Sequence, residues 1–139
     1  MKTVKLSDKD WLLRLDFGDE IMKSLMAFAK QNSIASASFT GLGAVGGLKY
    51  GYFDLSAKKY RVAEESISLE IVSLVGNIGW LDDDPIIHAH IAAGFPDMTV
   101  RGGHLVEGNI SVTAEIFIRT YDTAVKRGKD ERFGLNLIK

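Results

Sequence analysis

The three histidines of this 139-residue sequence, His88, His90 and His104, lie close together along the chain. Successive side chains of a β-strand point to opposite faces, so a strand over Ile86–Ala92 places His88 and His90 on the same face. A second short strand over Val100–Leu105, returning antiparallel, brings His104 toward that face. Three converging neutral imidazoles are the ligand set of a catalytic zinc site, in which one coordination position stays open.

A structural role is the alternative interpretation of these histidines. Two histidines at strand spacing also occur where imidazoles pair with carbonyl or carboxylate oxygens in a polar interior or at a subunit interface. The sequence contains no cysteine, so histidine is its only strong nitrogen ligand for a transition metal and a thiolate zinc cluster is excluded. Both interpretations stay open at the level of the sequence.

A carboxylate close to the third histidine is compatible with a small zinc-dependent enzyme of the hydrolase type. Zinc on three histidines polarises a carbonyl or lowers the pKa of bound water. Glu107, three residues after His104, is then the candidate general base or the partner of an imidazole. A surface or interface carboxylate is the simpler interpretation of Glu107, and Glu70, Asp97 and Glu115 are weaker candidates for the same role.

The composition is that of an ordinary globular chain, with 46% hydrophobic and 25% charged residues. We expect a single domain over residues 1–139, long enough for a substantial core. The net charge is −1, from 17 basic and 18 acidic residues, and gives no support for a DNA-binding face. No continuous apolar segment follows the N-terminus, so we expect no signal peptide or membrane span and a cytoplasmic location.

One helix is indicated after Asp16–Asp19. Asp19 and Glu20 would lie in its first turn, where the helix dipole favours negative charge, and Asn32 is a plausible C-terminal stop. An apolar stripe at helical spacing predicts packing of this helix against a sheet; its members are Ile21, Leu25, Phe28 and Ala29, widened by Met22 and Met26.

The remaining apolar segments indicate strands. Asp82–Asp84 forms an acidic run that is typical of a solvated turn, although three carboxylates are also cation ligands. The basic run Lys126–Lys129 indicates a solvated loop. The strand candidates are Thr3–Leu6, Trp11–Leu15, Ile34–Thr40, Leu48–Asp54, Tyr60–Ala63, Ser66–Val75, Ile86–Ala92, Val100–Leu105, Ile110–Thr120 and a final segment around Phe133–Leu137.

The segment Gly41–Gly47 matches G-x-G-x-x-G, the fingerprint of a dinucleotide-binding loop. That fingerprint requires a helix after the loop, because the helix N-terminus holds the pyrophosphate. The residues that follow are rich in aromatics and glycine and favour a strand. The glycines are therefore interpreted as a tight turn or a close approach between neighbouring strands.

Four blocks of the sequence, in the same order, resemble the PPC domain, the "plants and prokaryotes conserved" family, and the likeness covers most of the chain. The specific part is the H-x-H pair followed by G-G-H-L-x-x-G. The four blocks are Thr40–Val45, Leu69–Ile78, Pro85–His90 and Gly102–Gly108.

The resemblance implies an α/β (α+β) fold, with a mixed, curved sheet of about seven to nine strands and one main helix, assembled as a homotrimer. The family's clustered histidines resemble metal ligands, which implies a divalent metal, zinc by preference, on His88, His90 and His104. In plant members the region that matches Leu69–Leu74 contributes to association between proteins.

The resemblance also bears on DNA. In plant members the domain follows an AT-hook, an Arg-Gly-Arg-Pro-type segment that enters the minor groove, whereas prokaryotic members are usually the bare domain and are often described as candidate DNA-binding proteins. No such segment precedes the first predicted strand here, so we expect DNA binding to be weak. The resulting hypothesis is a stand-alone oligomeric binding and regulatory module with a metal site, and the zinc-dependent enzyme is the alternative.

Cupins are the rival family for an H-x-H pair on a strand. They carry a glutamate about four residues after the second histidine, where Gly94 and Phe95 stand in this sequence. The cupin ligand set is therefore incomplete, and the cupin remains only an alternative for the fold.

Overall fold

In the computed structural model, which describes residues 1–139, one α-helix and eight β-strands account for most of the chain. The helix, α1, spans Ile21–Gln31. The strands are β1 (Lys2–Lys5), β2 (Asp10–Asp16), β3 (Ser36–Asp54), β4 (Lys59–Leu81), β5 (Asp84–Gly94), β6 (Val100–Tyr121), β7 (Arg127–Lys129) and β8 (Asn136–Ile138).

Six strands form the main sheet, in the order β1-β2-β6-β3-β4-β5. The first part of β6, Val100–His104, also pairs with β5. Strands β3, β4, β5 and β6 therefore close on one another, and the sheet curls around the core. Strands β7 and β8 form a separate hairpin. The fold is mostly β with one helix.

The predicted mixed sheet is wrong, because all pairs of named strands are antiparallel. Short turns join β3 to β4, β4 to β5 and β5 to β6, and such turns reverse the chain direction. Helix α1 connects β2 to β3, which flank β6 and so do not bond to each other. The one parallel contact is an isolated bridge between Trp80 and Lys126.

Glycine-rich segments lie within long strands. The strand ends predicted at several of these segments do not occur. The predicted strands on either side of Gly41–Gly47 are both parts of β3, and register shifts absorb the glycines. Gly43 has φ +146°, and a Cβ there would lie 2.2 Å from the carbonyl oxygen of Thr113. The expected close approach of two strands is thus confirmed. A dinucleotide-binding loop requires a helix directly after it, and no helix follows this segment. Likewise, β4 continues through Gly76–Leu81.

Helix α1 begins and ends near the predicted residues. Glu20 is the N-cap, and its carboxylate accepts hydrogen bonds from the backbone amides of Met22 and Lys23; Asn32 is the C-cap. Asp19 and Glu20 therefore precede the first turn instead of lying in it. The helix packs against β5 and β6 and is not long and apolar enough to cross a membrane. Of its predicted apolar stripe, Ile21, Leu25, Phe28 and Ala29 are buried, whereas Met26 is exposed.

The sheet has a second face, opposite to the helix and largely exposed. Direct cross-strand partners lie on the same face, and one row runs from Phe117 on β6 through Thr40 and Val75 to His90 on β5. Phe117 is 51% exposed and Val75 45%. The strand residues that alternate with this row, among them Ile116, Ile118, Ala89 and Ile91, are buried toward the helix.

Candidate metal centre

Strands β5 and β6 bring the three histidines together. His88 and His90 project from the same face of β5, and His90 is the direct cross-strand partner of His104 on β6. The three ring centroids lie 5.2 to 5.6 Å apart. One ligand nitrogen from each ring lies within 4.8 Å of the others. The predicted convergence of the imidazoles is confirmed.

Two glycines before His104 make this pairing sterically possible. A Cβ at Gly102 would lie 2.1 Å from the carbonyl oxygen of Ile91, and a Cβ at Gly103 would lie 2.5 Å from that of Gly51. Side chains at these positions would push β6 away from β5 and β3. The Gly-Gly-His sequence thus has a physical explanation, because it allows the histidine to enter between two neighbouring strands.

The surroundings of the cluster favour neutral imidazoles. His88 and His104 are partly buried and His90 is exposed. Burial, followed by the charges of His88 and His90, lowers the pKa of His104 to about 4. Burial, followed by the charges of Arg127 and His90, lowers the pKa of His88. At neutral pH both rings therefore present unprotonated nitrogens, the form that binds a metal ion.

One ring nitrogen of the cluster lacks the partner that a buried polar atom requires. Nδ1 of His104 is buried and makes no hydrogen bond within the chain. A structural histidine in a polar interior would be expected to satisfy that atom with a carbonyl or a carboxylate. The donor set is nitrogen only, which suits zinc and other borderline transition metals. The residues present therefore fit a metal ion.

A cleft of about 210 Å³ adjoins the cluster and includes His88 and His104 in its wall. Tyr60, at the start of β4, stacks on the His104 ring with centroids 4.7 Å apart. Arg127 of β7 contributes a buried side chain to the wall of the same cleft. The remaining wall is formed by Ile86, Ile87, Leu135, Asn136 and Leu137.

Sequence reasoning missed both Tyr60 and Arg127. The interpretation of Lys126–Lys129 as a solvated loop is wrong for Arg127, which is only 8% exposed and belongs to the β7–β8 hairpin. Nothing local signals this burial, because the basic run gains its partners from distant parts of the chain. The stacking of Tyr60 on His104 likewise depends on how far β4 extends.

Glu107 lies outside both the histidine cluster and the cleft. Its carboxylate accepts hydrogen bonds from Asn109 and from Lys49, each at 3.1 Å, and these bonds lower its pKa. Of the weaker candidates, Glu70 and Glu115 are exposed, and Asp97 accepts hydrogen bonds from Thr99. The structure does not bring these carboxylates to the histidines, and the role of Glu107 as a base stays a prediction.

An antiparallel curled sheet with one helix, and with three imidazoles on the face opposite to that helix, defines a class of small β proteins with a candidate metal centre. The chain belongs to the Plants and Prokaryotes Conserved (PCC) domain family, whose model matches residues 3–122. No curated protein shows significant similarity to the chain.

Solved structures share this fold over nearly their whole length. A plant- and prokaryote-conserved (PPC) protein from Pyrococcus horikoshii is 34% identical, with a TM-score of 0.88, 94% of this chain covered and 91% of the other. A metal-containing protein from Archaeoglobus fulgidus is 33% identical, with a TM-score of 0.87, 100% of this chain covered and 99% of the other. A candidate DNA-binding protein from Bacteroides thetaiotaomicron is 29% identical, with a TM-score of 0.93, 97% of this chain covered and 94% of the other.

Proposed function

We propose that the chain is an oligomeric metal-binding module, in which His88, His90 and His104 hold one divalent cation, zinc by preference. The observation that carries the proposal is the cluster itself, with ligand nitrogens within 4.8 Å of one another and the buried Nδ1 of His104 lacking a partner. The metal-containing relative from Archaeoglobus fulgidus supports it.

The surrounding residues would hold and shield the ion. Tyr60 fixes the plane of the His104 ring by stacking on it, and the closure of β5 onto β6 fixes the distance between His90 and His104. Bound zinc would supply an electrophilic centre that accepts one further ligand beside three histidines. The cleft next to His88 and His104 gives that ligand a place to bind.

The family resemblance implies a homotrimer, and the exposed sheet face supports association between copies of the chain. Val75 and Phe117 lie exposed in the same cross-strand row as His90, and Leu42 and Val72 of neighbouring strands are 57% exposed. Large apolar side chains grouped on one surface favour an interface. Light scattering of the purified protein is expected to give the mass of three chains, and a monomer at micromolar concentration would contradict this part of the proposal.

The metal site is tested by elemental analysis of the purified protein beside a His88→Ala/His90→Ala double variant. We expect one equivalent of metal per chain in the parent and none in the double variant. The matched control is Glu70→Ala/Glu115→Ala, which removes two exposed carboxylates outside the cluster and is expected to keep the metal. Equal metal in parent and histidine variant, or none in either, would return the histidines to a structural role.

A further inference from the structure

Arg127 is a charged side chain enclosed by the protein. It is only 8% exposed. Its Nη2 donates a hydrogen bond to Oδ1 of Asn77 at 2.6 Å, and its Nη1 donates one to the carbonyl oxygen of Asn136 at 3.0 Å. Its Nε is buried without any partner. All the groups that Arg127 contacts through hydrogen bonds are therefore neutral.

No carboxylate of the chain balances this charge. None of the ion pairs of the structure includes Arg127. Burial alone, with no opposing acidic group, lowers the pKa of its guanidinium. A buried charge is costly unless it is paired. An anion from outside the chain would remove that cost.

The unbalanced charge lies beside the metal centre. Asn77, which holds the guanidinium, is the direct cross-strand partner of His88. Arg127, His88 and His104 all line the same cleft. A metal ion on the histidines would add a second positive charge to this space. Both features select for a negatively charged ligand.

We infer that this cleft binds a small organic carboxylate, whose carboxylate group pairs with Arg127 and whose apolar part lies against Ile86, Leu135 and Leu137. The inference extends the proposed function and rests on it for the second contact, at the metal centre. Arg127 supports the first contact by itself.

The size and the walls of the cleft restrict the ligand. Its volume of about 210 Å³ is below the roughly 300–1,000 Å³ of sites for drug-sized molecules, so the ligand is small. Guanidinium and carboxylate are both planar and match each other's geometry. The aliphatic walls favour a monoanion with a hydrocarbon body over a phosphate dianion, which loses more hydration on burial.

The test is a titration of the purified protein with isobutyrate, followed by calorimetry and by the Arg127 Nε–H signal in nitrogen-15 NMR spectra. The signal is assigned by its loss in Arg127→Lys. We expect saturable binding and a shift of this signal. The neutral isostere isobutyramide is expected to produce neither. Equal binding of the amide, or stronger binding of inorganic phosphate, would overturn the inference.

Two variants identify the residue responsible. Arg127→Gln removes the charge and is expected to weaken isobutyrate binding by about tenfold or more, since a charge-assisted bond is lost. Arg61→Gln, which changes an exposed arginine outside the cleft, is expected to bind as the parent does. Unchanged binding by Arg127→Gln would overturn the inference. If Arg127→Gln does not fold, the inference is tested by the shift of the Arg127 Nε–H signal when isobutyrate is added to the parent protein.

The titration is repeated on protein stripped of metal with a chelator, to separate this inference from the proposed function. Weaker binding that still shifts the Arg127 signal supports a carboxylate contact independent of the metal, even if elemental analysis shows no metal in the parent. A second copy of the chain is the other source of a carboxylate. An Arg127 signal that ignores isobutyrate but changes when the oligomer is diluted would overturn the inference in favour of that source.

Discussion

His90 of β5 and His104 of β6 are direct cross-strand partners whose ring centroids lie 5.6 Å apart. This short ladder between β5 and β6 closes the four strands around the core. It also fixes two of the three imidazoles relative to each other. The closure of the sheet and the assembly of the candidate metal centre are therefore one structural event.

Gly102→Ala is expected to disrupt both the closure of the sheet and the candidate metal centre. The new Cβ would lie 2.1 Å from the carbonyl oxygen of Ile91, a backbone atom with little freedom to move. We expect a loss of about 3 kcal/mol in the free energy of unfolding together with loss of metal. Chemical denaturation and elemental analysis measure the two effects. The control is Gly94→Ala, where the Cβ would lie 3.2 Å from a side-chain methyl group of Val72. Similar stability for the two variants would contradict the prediction.

Protein stripped of metal is expected to lose stability as the pH falls from about 6.5 to about 4. Folding lowers the pKa of His104 from 6.5 to about 4, so the unfolded chain binds a proton in this range while the folded chain does not. The pKa of His88 is lowered as well and acts in the same direction. Above about pH 6.5 both states are neutral and the effect disappears.

Thermal unfolding between pH 7.5 and 4.5 measures this dependence. His104→Gln is expected to make stability depend less steeply on pH, because it removes the histidine whose pKa folding lowers to about 4. Proton NMR of the His104 ring in the stripped protein is expected to give a midpoint near 4. A midpoint near 6.5 would show that the ring is solvated and would contradict the account of the cluster.

Glu20 is expected to stabilise the junction between α1 and β6. Its carboxylate accepts hydrogen bonds from the amides of Met22, Lys23 and Gly108, at 3.0, 2.7 and 3.0 Å. Glu20→Ala removes the helix cap and this cross-link, and we expect it to cost about 2 kcal/mol of unfolding free energy. Urea denaturation measures the loss, with Glu131→Ala as the exposed control. Equal stability of the two variants would argue against a structural role for Glu20.

Duplex DNA is expected to bind weakly at most. The net charge of −1 leaves little excess of cationic groups to displace counterions, which supply most of the affinity in non-specific binding. A fluorescence titration of a labelled duplex at low salt is expected to show no saturation at micromolar protein. Tight binding that persists at physiological salt would contradict this prediction.

The spacing of a few residues was sufficient to predict that the three imidazoles converge. Residues two apart on a strand share a face, so His88 and His90 had to point the same way, and an antiparallel return was enough to add His104. The helix followed from one apolar stripe and from polar residues at its ends. These features are local, or nearly so, which is why the sequence reveals them.

The long strands and the cleft were not predictable in this way. The glycines of β3, β4 and β6 occur in segments whose composition is typical of turns. Because glycine has no side chain, these residues instead allow close contact between neighbouring strands, as Gly43 shows. In the sequence, the neighbours of Arg127 are typical of a surface loop. Its buried position depends on hydrogen bonds to Asn77, which is distant in the sequence, and to Asn136, which lies across the β7–β8 hairpin. Such partners emerge only when distant segments pack together.

The additional pairing of β5 with β6 leaves β1 as the terminal strand of the main sheet. This strand has four residues, all exposed, and carries Lys2 and Lys5, so it is a poor template for adding strands from another molecule. Growth by strand addition at this border is therefore disfavoured.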